Sequence, residues 1–211
     1  MKKIILTKYG PPEVLQVQDC ANSRPKNNQI KVKLFYSGIN FAEIMARMHL
    51  YPGAPKPPSV LGAEGSGIIE EIGEKVSGFE VGQKVMFFTM HGSYSSHVLL
   101  DPKLVMPIPT NFNLKDAAAF PVIYFTAYMM LFDLGNLMDR DTILIHGGGG
   151  GVGTAAIQLA KTLKVQIITT SSSWKHKKLL SLGASQCVDY YKDNVIEKVR
   201  DMKKEFLEIT D

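Results

Sequence analysis

Five consecutive glycines, Gly147 to Gly151, follow the apolar run Thr142-Ile-Leu-Ile145 and lead into Val152-Gly153-Thr154. The register Gly148-x-Gly150-x-x-Gly153 fits a strand-to-helix turn that carries no side chains. Such a turn lets backbone N–H groups approach a pyrophosphate, while the following helix points its positive N-terminus at the same charge. The spacing alone is weak evidence; a strand before it and a helix after it make it specific. Sites that take NAD carry an Asp or Glu about 20 residues past the glycines. Here that stretch reads Thr169-Thr-Ser-Ser-Ser-Trp-Lys175, with no acid. Hydroxyls and an ammonium suit a ribose that bears a 2′-phosphate, so the expected cofactor is NADPH. The plainer alternative is that Ser171–Ser173 cap the next helix and the lysines form a solvated face.

The elements that must position these residues follow from periodicity. Ile30-Lys-Val-Lys-Leu-Phe-Tyr36 alternates as a half-buried strand does. Further strands are expected at 67–72, 84–88, 98–100 and 104–106, with turn formers between them, which predicts a β-rich, barrel-like region over 1–110. Asn113 with Asp116 three positions later marks a helix start, and Ala117 to Leu137 is expected to be mostly helical. From Asp141 the chain alternates. Strands are expected at 142–146, 165–170 and 187–189, and helices at 152–163, 173–182 and 195–206. Val195, Ile196, Val199, Met202 and Phe206 would form the apolar face of the last helix. This order predicts a parallel sheet with right-handed crossovers. It supplies one half of a dinucleotide-binding sheet, the 3-2-1 side.

Composition excludes other classes. The net charge of +4 is spread over both halves, so no concentrated basic patch argues for nucleic acid. Cys20 and Cys187 lie far apart and fit a reduced, cytoplasmic compartment better than a disulfide framework. Ala117 to Phe132 carries no charge but is short of the roughly 20 residues that span a bilayer. The N-terminal apolar stretch is too short for a signal peptide. His146, at the end of the first parallel strand, is expected to be packed and hydrogen-bonded.

Several motifs resemble one family. Gly38-Ile-Asn-Phe-Ala-Glu-Ile-Met-Ala-Arg47, Leu50-Tyr-Pro52, Leu61-Gly-Ala-Glu-Gly-Ser-Gly67, Ala117-Ala-Ala-Phe-Pro121, Thr126-Ala-Tyr128, the glycine loop and Asp189-Tyr190 occur in order along nearly the whole chain. Together they resemble the zinc-free quinone oxidoreductase (zeta-crystallin-like) branch of the medium-chain dehydrogenase/reductase superfamily. Phe132-Asp-Leu-Gly-Asn-Leu137 and Ser173-Trp-Lys-His176 lean toward its synaptic vesicle membrane protein subgroup. The resemblance implies an α/β fold: a GroES-like domain over 1–120, then a Rossmann domain over 121–211 in its first half only. It implies hydride transfer from NADPH to quinones or enone carbonyls. Gly150, Gly151, Val152 and Gly153 would face the pyrophosphate. Ser171, Lys175 and Tyr190 would hold the 2′-phosphate side, and Asn40, Tyr51 and Thr126 would lie near the nicotinamide and the substrate. Asn40 and Tyr51 would donate to the substrate carbonyl.

Zinc-dependent relatives place a cysteine and a histidine where this chain has Asn40 and Ala63, and the four-cysteine zinc lobe is missing. No metal is therefore expected. The resemblance also implies that family members run on past residue 211, so the chain reads as C-terminally truncated. The strand at 142–146 would then be an apolar sheet edge, and a homodimer is expected only of a full-length form. The alternative function is a catalytically impaired binding protein, peripherally associated with vesicles or membranes. A zinc alcohol dehydrogenase relative is a third.

Overall fold

The computed structural model describes residues 1–208, with side chains through residue 202. The chain divides into two compact units, Met1–Val122 and Ile123–Asp211.

The first unit is built on eight strands: β1 (Lys2–Leu6), β2 (Leu15–Asp19), β3 (Ile30–Ser37), β4 (Ser59–Val60), β5 (Glu64–Ile72), β6 (Lys84–Phe88), β7 (His97–Leu100) and β8 (Val105–Pro107). They sort into two antiparallel sheets, ordered β2-β1-β4 and β7-β3-β5-β6-β8. An isolated bridge joins Lys3 to Ser95 outside the named pairs. Two short helices, α1 (Phe41–Arg47) and α2 (Leu114–Ala117), complete the unit. Ile30 and Val32 of β3 face inward with Ile69, Val85, Phe87, Leu100 and Val105. Each such side chain contributes about 1.5–3 kcal/mol of burial.

Lys31 stands between Ile30 and Val32 and is only 2% exposed. The β3–β5 register explains how its charge is met. Lys31 pairs with Glu71 and Val32 with Ile69, so Glu70 is the extra residue of a bulge. A bulge re-aims a side chain. Here Glu70 joins Glu71 on the Lys31 ammonium, at 2.9 and 2.5 Å, and His97 Nε2 lies 3.5 Å from Glu70.

The second unit begins within α3 (Pro121–Tyr128), which runs into one π-helical turn, Met129–Leu134. It continues with β9 (Thr142–Ile145), α4 (Gly151–Ala160), β10 (Gln166–Ser171), α5 (His176–Leu182), β11 (Gln186–Asp189) and α6 (Val195–Glu208). The strands are parallel in the order β11-β10-β9. Ile157 and Ala160 of α4, Ile167 of β10, and Leu179 and Ala184 around the end of α5 form its main core.

Four expectations are corrected in detail. The helical stretch expected over 117–137 is interrupted before Pro121, whose ring disfavours a helical residue ahead of it. The helix expected from Ser173 opens with a separate 3₁₀ turn, Ser173–Lys175, without a side-chain cap. Val195, Val199 and Met202 of α6 pack on Ile168 and Val188, but Ile196 is 71% exposed. One residue past Val195, it is turned about 100° off that face. The Phe206 side chain lies outside the described residues. His146 is hydrogen-bonded as expected, its Nδ1 lying 3.4 Å from Thr170 Oγ1, but it is exposed rather than packed, because β9 ends at Ile145 and His146 already belongs to the loop.

The Lys31 pairing gives a pH signature. Its glutamate contacts hold Glu70 below the ordinary carboxylate value of 4.5 and lift Lys31 above 10.5. The Glu70 contribution is present above pH 4.5 and lost as pH falls through its lowered folded value. The Lys31 contribution is present below pH 10.5 and lost as pH rises through its raised folded value. Urea unfolding of Lys31→Met should show a deficit on the order of 1 kcal/mol at pH 7, after discounting for the solvent-exposed carboxylates. That deficit should shrink below pH 4.

Candidate functional site

In the second unit, β9 leaves the sheet at Ile145 and the glycine loop returns the chain into α4 with Gly150 at its N-cap. Gly147 turns the loop with φ +67°. The middle strand then fastens it. Gly147 N–H donates to Thr170 Oγ1 at 3.1 Å, Gly148 N–H to the Thr170 carbonyl at 3.0 Å, and Thr169 Oγ1 to the Ile145 carbonyl at 2.8 Å. Gly148 lies so close to Thr169 that a Cβ there would overlap the threonine side chain. Two of the loop's N–H groups are therefore spent on β10. Those of Gly151, Val152 and Gly153, in the first turn of α4, precede any intrahelical acceptor. They, with the helix dipole, are the donors suited to an anion.

The end of β10 supplies the other half of this cradle. Lys175 folds back over the loop, its Nζ donating to the Gly149 carbonyl at 3.3 Å and lying 5.0 Å from the Trp174 ring centre. Ser172 Oγ and the Tyr190 hydroxyl share a 3.0 Å hydrogen bond. Ser171 is 2% exposed and its Oγ turns to the Ser172 carbonyl at 3.2 Å. The reachable hydroxyl is thus Ser172, one residue beyond the serine that the sequence singles out. Asp189, at the end of β11, accepts from Ser173 N–H at 3.2 Å and Tyr191 N–H at 3.0 Å. These bonds hold its carboxyl below the usual range. The acid missing from β10 is supplied to this loop by β11, and it anchors the backbone rather than standing free. Thr126, half-buried on α3, sits one residue before Ala127, which packs against Ala155 and Ala156 of α4. The loop donors, the lysine and the paired hydroxyls fit the phosphates of a dinucleotide.

In the first unit, Asn40 is the N-cap of α1 and is held from two sides. Its backbone N–H donates to Glu43 Oε2 at 2.7 Å and its side-chain Nδ2 to Glu64 Oε1 at 2.8 Å. Glu43 also accepts from Ala63 N–H at 3.1 Å, and Glu64 from Val122 N–H at 2.8 Å. Burial pushes Glu64 up from the ordinary carboxylate value, offset by the Val122 and Asn40 donors. Tyr94 is pushed up as well, by burial and by the charges of Glu43 and Glu64. Tyr51 is 48% exposed, and among the described residues its hydroxyl has no hydrogen-bond partner. No three His, Cys, Asp or Glu side chains converge as a metal site among the described residues.

The alcohol dehydrogenase GroES-like domain family matches residues 26–110. The synaptic vesicle membrane protein VAT-1 homolog of Danio rerio is 36% identical over 99% of this chain and 43% of its own length. The crystal structure of the human VAT-1 homolog-like protein superimposes with a TM-score of 0.85 at 34% identity, over 90% of this chain and 61% of that one. Escherichia coli quinone oxidoreductase complexed with NADPH superimposes at 0.90 with 30% identity, over 97% of this chain and 63% of that one. Along nearly its whole length the chain is thus similar to VAT-1 homologues and to quinone oxidoreductases. Its first unit is GroES-like and its second is Rossmann-like. The chain spans about half the length of the curated relatives it matches.

Two glycine variants separate backbone contact from side-chain contact. Gly148→Ala should destabilise the chain by about 1–3 kcal/mol in urea unfolding, because Thr169 is fixed in β10 and cannot yield. Gly149→Ala meets only the flexible Lys175 stem. It should cost less than about 1 kcal/mol.

Proposed function

We propose that this chain is the cofactor-binding and carbonyl-binding part of an NADPH-dependent oxidoreductase that passes hydride to quinones or enone carbonyls without a metal. The observation that carries this reading is Lys175 reaching across to Gly149, which puts a cation beside the phosphate-binding turn. The first-turn N–H groups of α4, led by Gly151, Val152 and Gly153, orient the diphosphate from Gly150 onward. Lys175, with the Ser172 and Tyr190 hydroxyls, takes the 2′-phosphate, and Ser171 supports that loop from below. When bound, the reduced nicotinamide supplies the hydride. Thr126 lines the nicotinamide side. Asn40, through its amide, and Tyr51, through its hydroxyl, polarise the carbonyl oxygen that accepts negative charge. Asn40 and Ala63 offer neither thiolate nor imidazole, so these donors take the place of a Lewis acid.

A second reading is a binding protein that associates peripherally with cytoplasmic vesicle surfaces. The name of the VAT-1 relatives, synaptic vesicle membrane proteins, favours it. No helix among the described residues is long and apolar enough to cross a membrane.

Fluorescence titration of the 211-residue chain with NADPH and NADH distinguishes these readings. Lys175→Ala should weaken NADPH about 10- to 100-fold, the loss of a charge-assisted hydrogen bond, and NADH less than about threefold. Equal losses for both cofactors would remove Lys175 from the 2′-phosphate. No binding of either, with co-sedimentation on anionic liposomes, would favour the second reading.

A further inference from the structure

A primary amide can sit in either of two orientations, with its oxygen and nitrogen exchanged. Its nitrogen carries two donors and its oxygen only accepts. What decides between them at Asn40 is the group facing it. Glu64 is 1% exposed. One of its oxygens is committed to Val122 N–H and the other to Asn40 Nδ2. Both oxygens accept from N–H groups, and these two bonds favour the charged form against the upward push of burial; a carboxylate cannot donate. Turning the amide over would press Oδ1 against Oε1, two acceptors with no proton between them in a buried place. The space for Glu64 is itself built in. A Cβ on Gly38 would overlap the Glu64 carboxyl group, so only glycine two residues before Asn40 lets the glutamate lie there. Glu43 fixes the other end of the residue by capping Asn40 N–H and tying it to Ala63.

We propose that Glu64 is the positioning residue of the carbonyl site: by accepting from Asn40 Nδ2 it locks the amide in one orientation, leaving its second N–H for a carbonyl oxygen. This rests on the reading of Asn40 as the carbonyl donor. Glu64 touches no substrate and acts only through Asn40. Glu43 acts at the other end of the residue: its carboxylate caps the Asn40 backbone N–H, and its own N–H completes the capping box with the Asn40 side chain, which favours the same amide orientation. The buried carboxylate raises the cost of folding this segment, which is the expected mark of a group retained for orientation rather than for stability.

The test is ¹H–¹⁵N spectroscopy of the full chain, following the side-chain NH₂ pair that disappears in Asn40→Ser. One proton of the pair should lie well downfield of the other, the signature of a hydrogen bond to a carboxylate. Glu64→Gln should collapse that separation while the backbone spectrum is retained. Should Glu64→Gln not fold, Glu64→Asp keeps the charge but withdraws it by one methylene, and it should move the same proton upfield. An Asn40 pair unchanged in either folded variant overturns the proposal. In quinone reduction, Glu64→Gln should lower kcat about 10- to 100-fold with the KM for NADPH unchanged. An unchanged kcat in a variant whose amide pair has collapsed also overturns the positioning role. A wild-type chain with the downfield proton but no quinone reduction overturns the oxidoreductase reading alone and leaves the Glu64–Asn40 lock standing.

Discussion

The second unit depends on one close approach. The glycine loop has to cross directly over β10, and it does so because Gly148 presents no side chain to Thr169. The two threonines of β10 use that proximity. Thr169 reaches back to the Ile145 carbonyl, and Thr170 takes the N–H groups of Gly147 and Gly148. A loop of five glycines has the highest conformational entropy a chain can offer. Two hydrogen bonds from the loop to a buried strand, with a third holding the strand end before it, remove much of that freedom before any ligand arrives. The remaining donors, at the start of α4, are thereby aimed without further ordering, which is the condition for tight anion binding by backbone.

The first unit solves a similar problem with charge. Asn40 follows a strand and opens a seven-residue helix, too short to hold its own end firmly. Two carboxylates do so instead, one on the backbone and one on the side chain. Glu64 is buried at an energetic cost, seen in the upward push that burial exerts on its carboxyl. Lys31 is the contrasting case. It too is buried, yet it sits in a three-way ion pair on a β-bulge, where the pairing favours the charged forms. One buried charge is matched for stability, and the other is held for the orientation of a neighbour.

The parts of this architecture that were legible in the sequence are those set by local rules. The glycine register, the apolar runs of β9 and β10, the Asn113–Asp116 cap and the alternation of strands and helices all follow from spacing within a few residues. What escaped reading depends on partners distant in sequence. β1 and β2 pair across an eight-residue gap and carry weak alternation, Val17 being 66% exposed. The helix after Asn40 shows one of its stabilising acids, Glu43, three residues on, but hides the other, because Glu64 is 24 residues away. Asp189 was visible as a residue, but its place beneath Ser173 requires the parallel register of β10 with β11. Ser171 and Ser172 are neighbours of the same type; only the pleat of β10 shows that the first turns inward. The Lys175–Gly149 contact follows from neither composition nor period, since a long side chain folding back over a loop is a tertiary event.

The central claim is that the glycine loop and the end of β10 form one anion cradle for a 2′-phosphorylated dinucleotide. Hydrogen–deuterium exchange of the chain, with and without saturating NADPH, tests it most directly. The account predicts slowed exchange in residues 149–154 and 171–175 together, with the second segment less protected by NADH than by NADPH. Protection confined to other segments, or none at all, would contradict it.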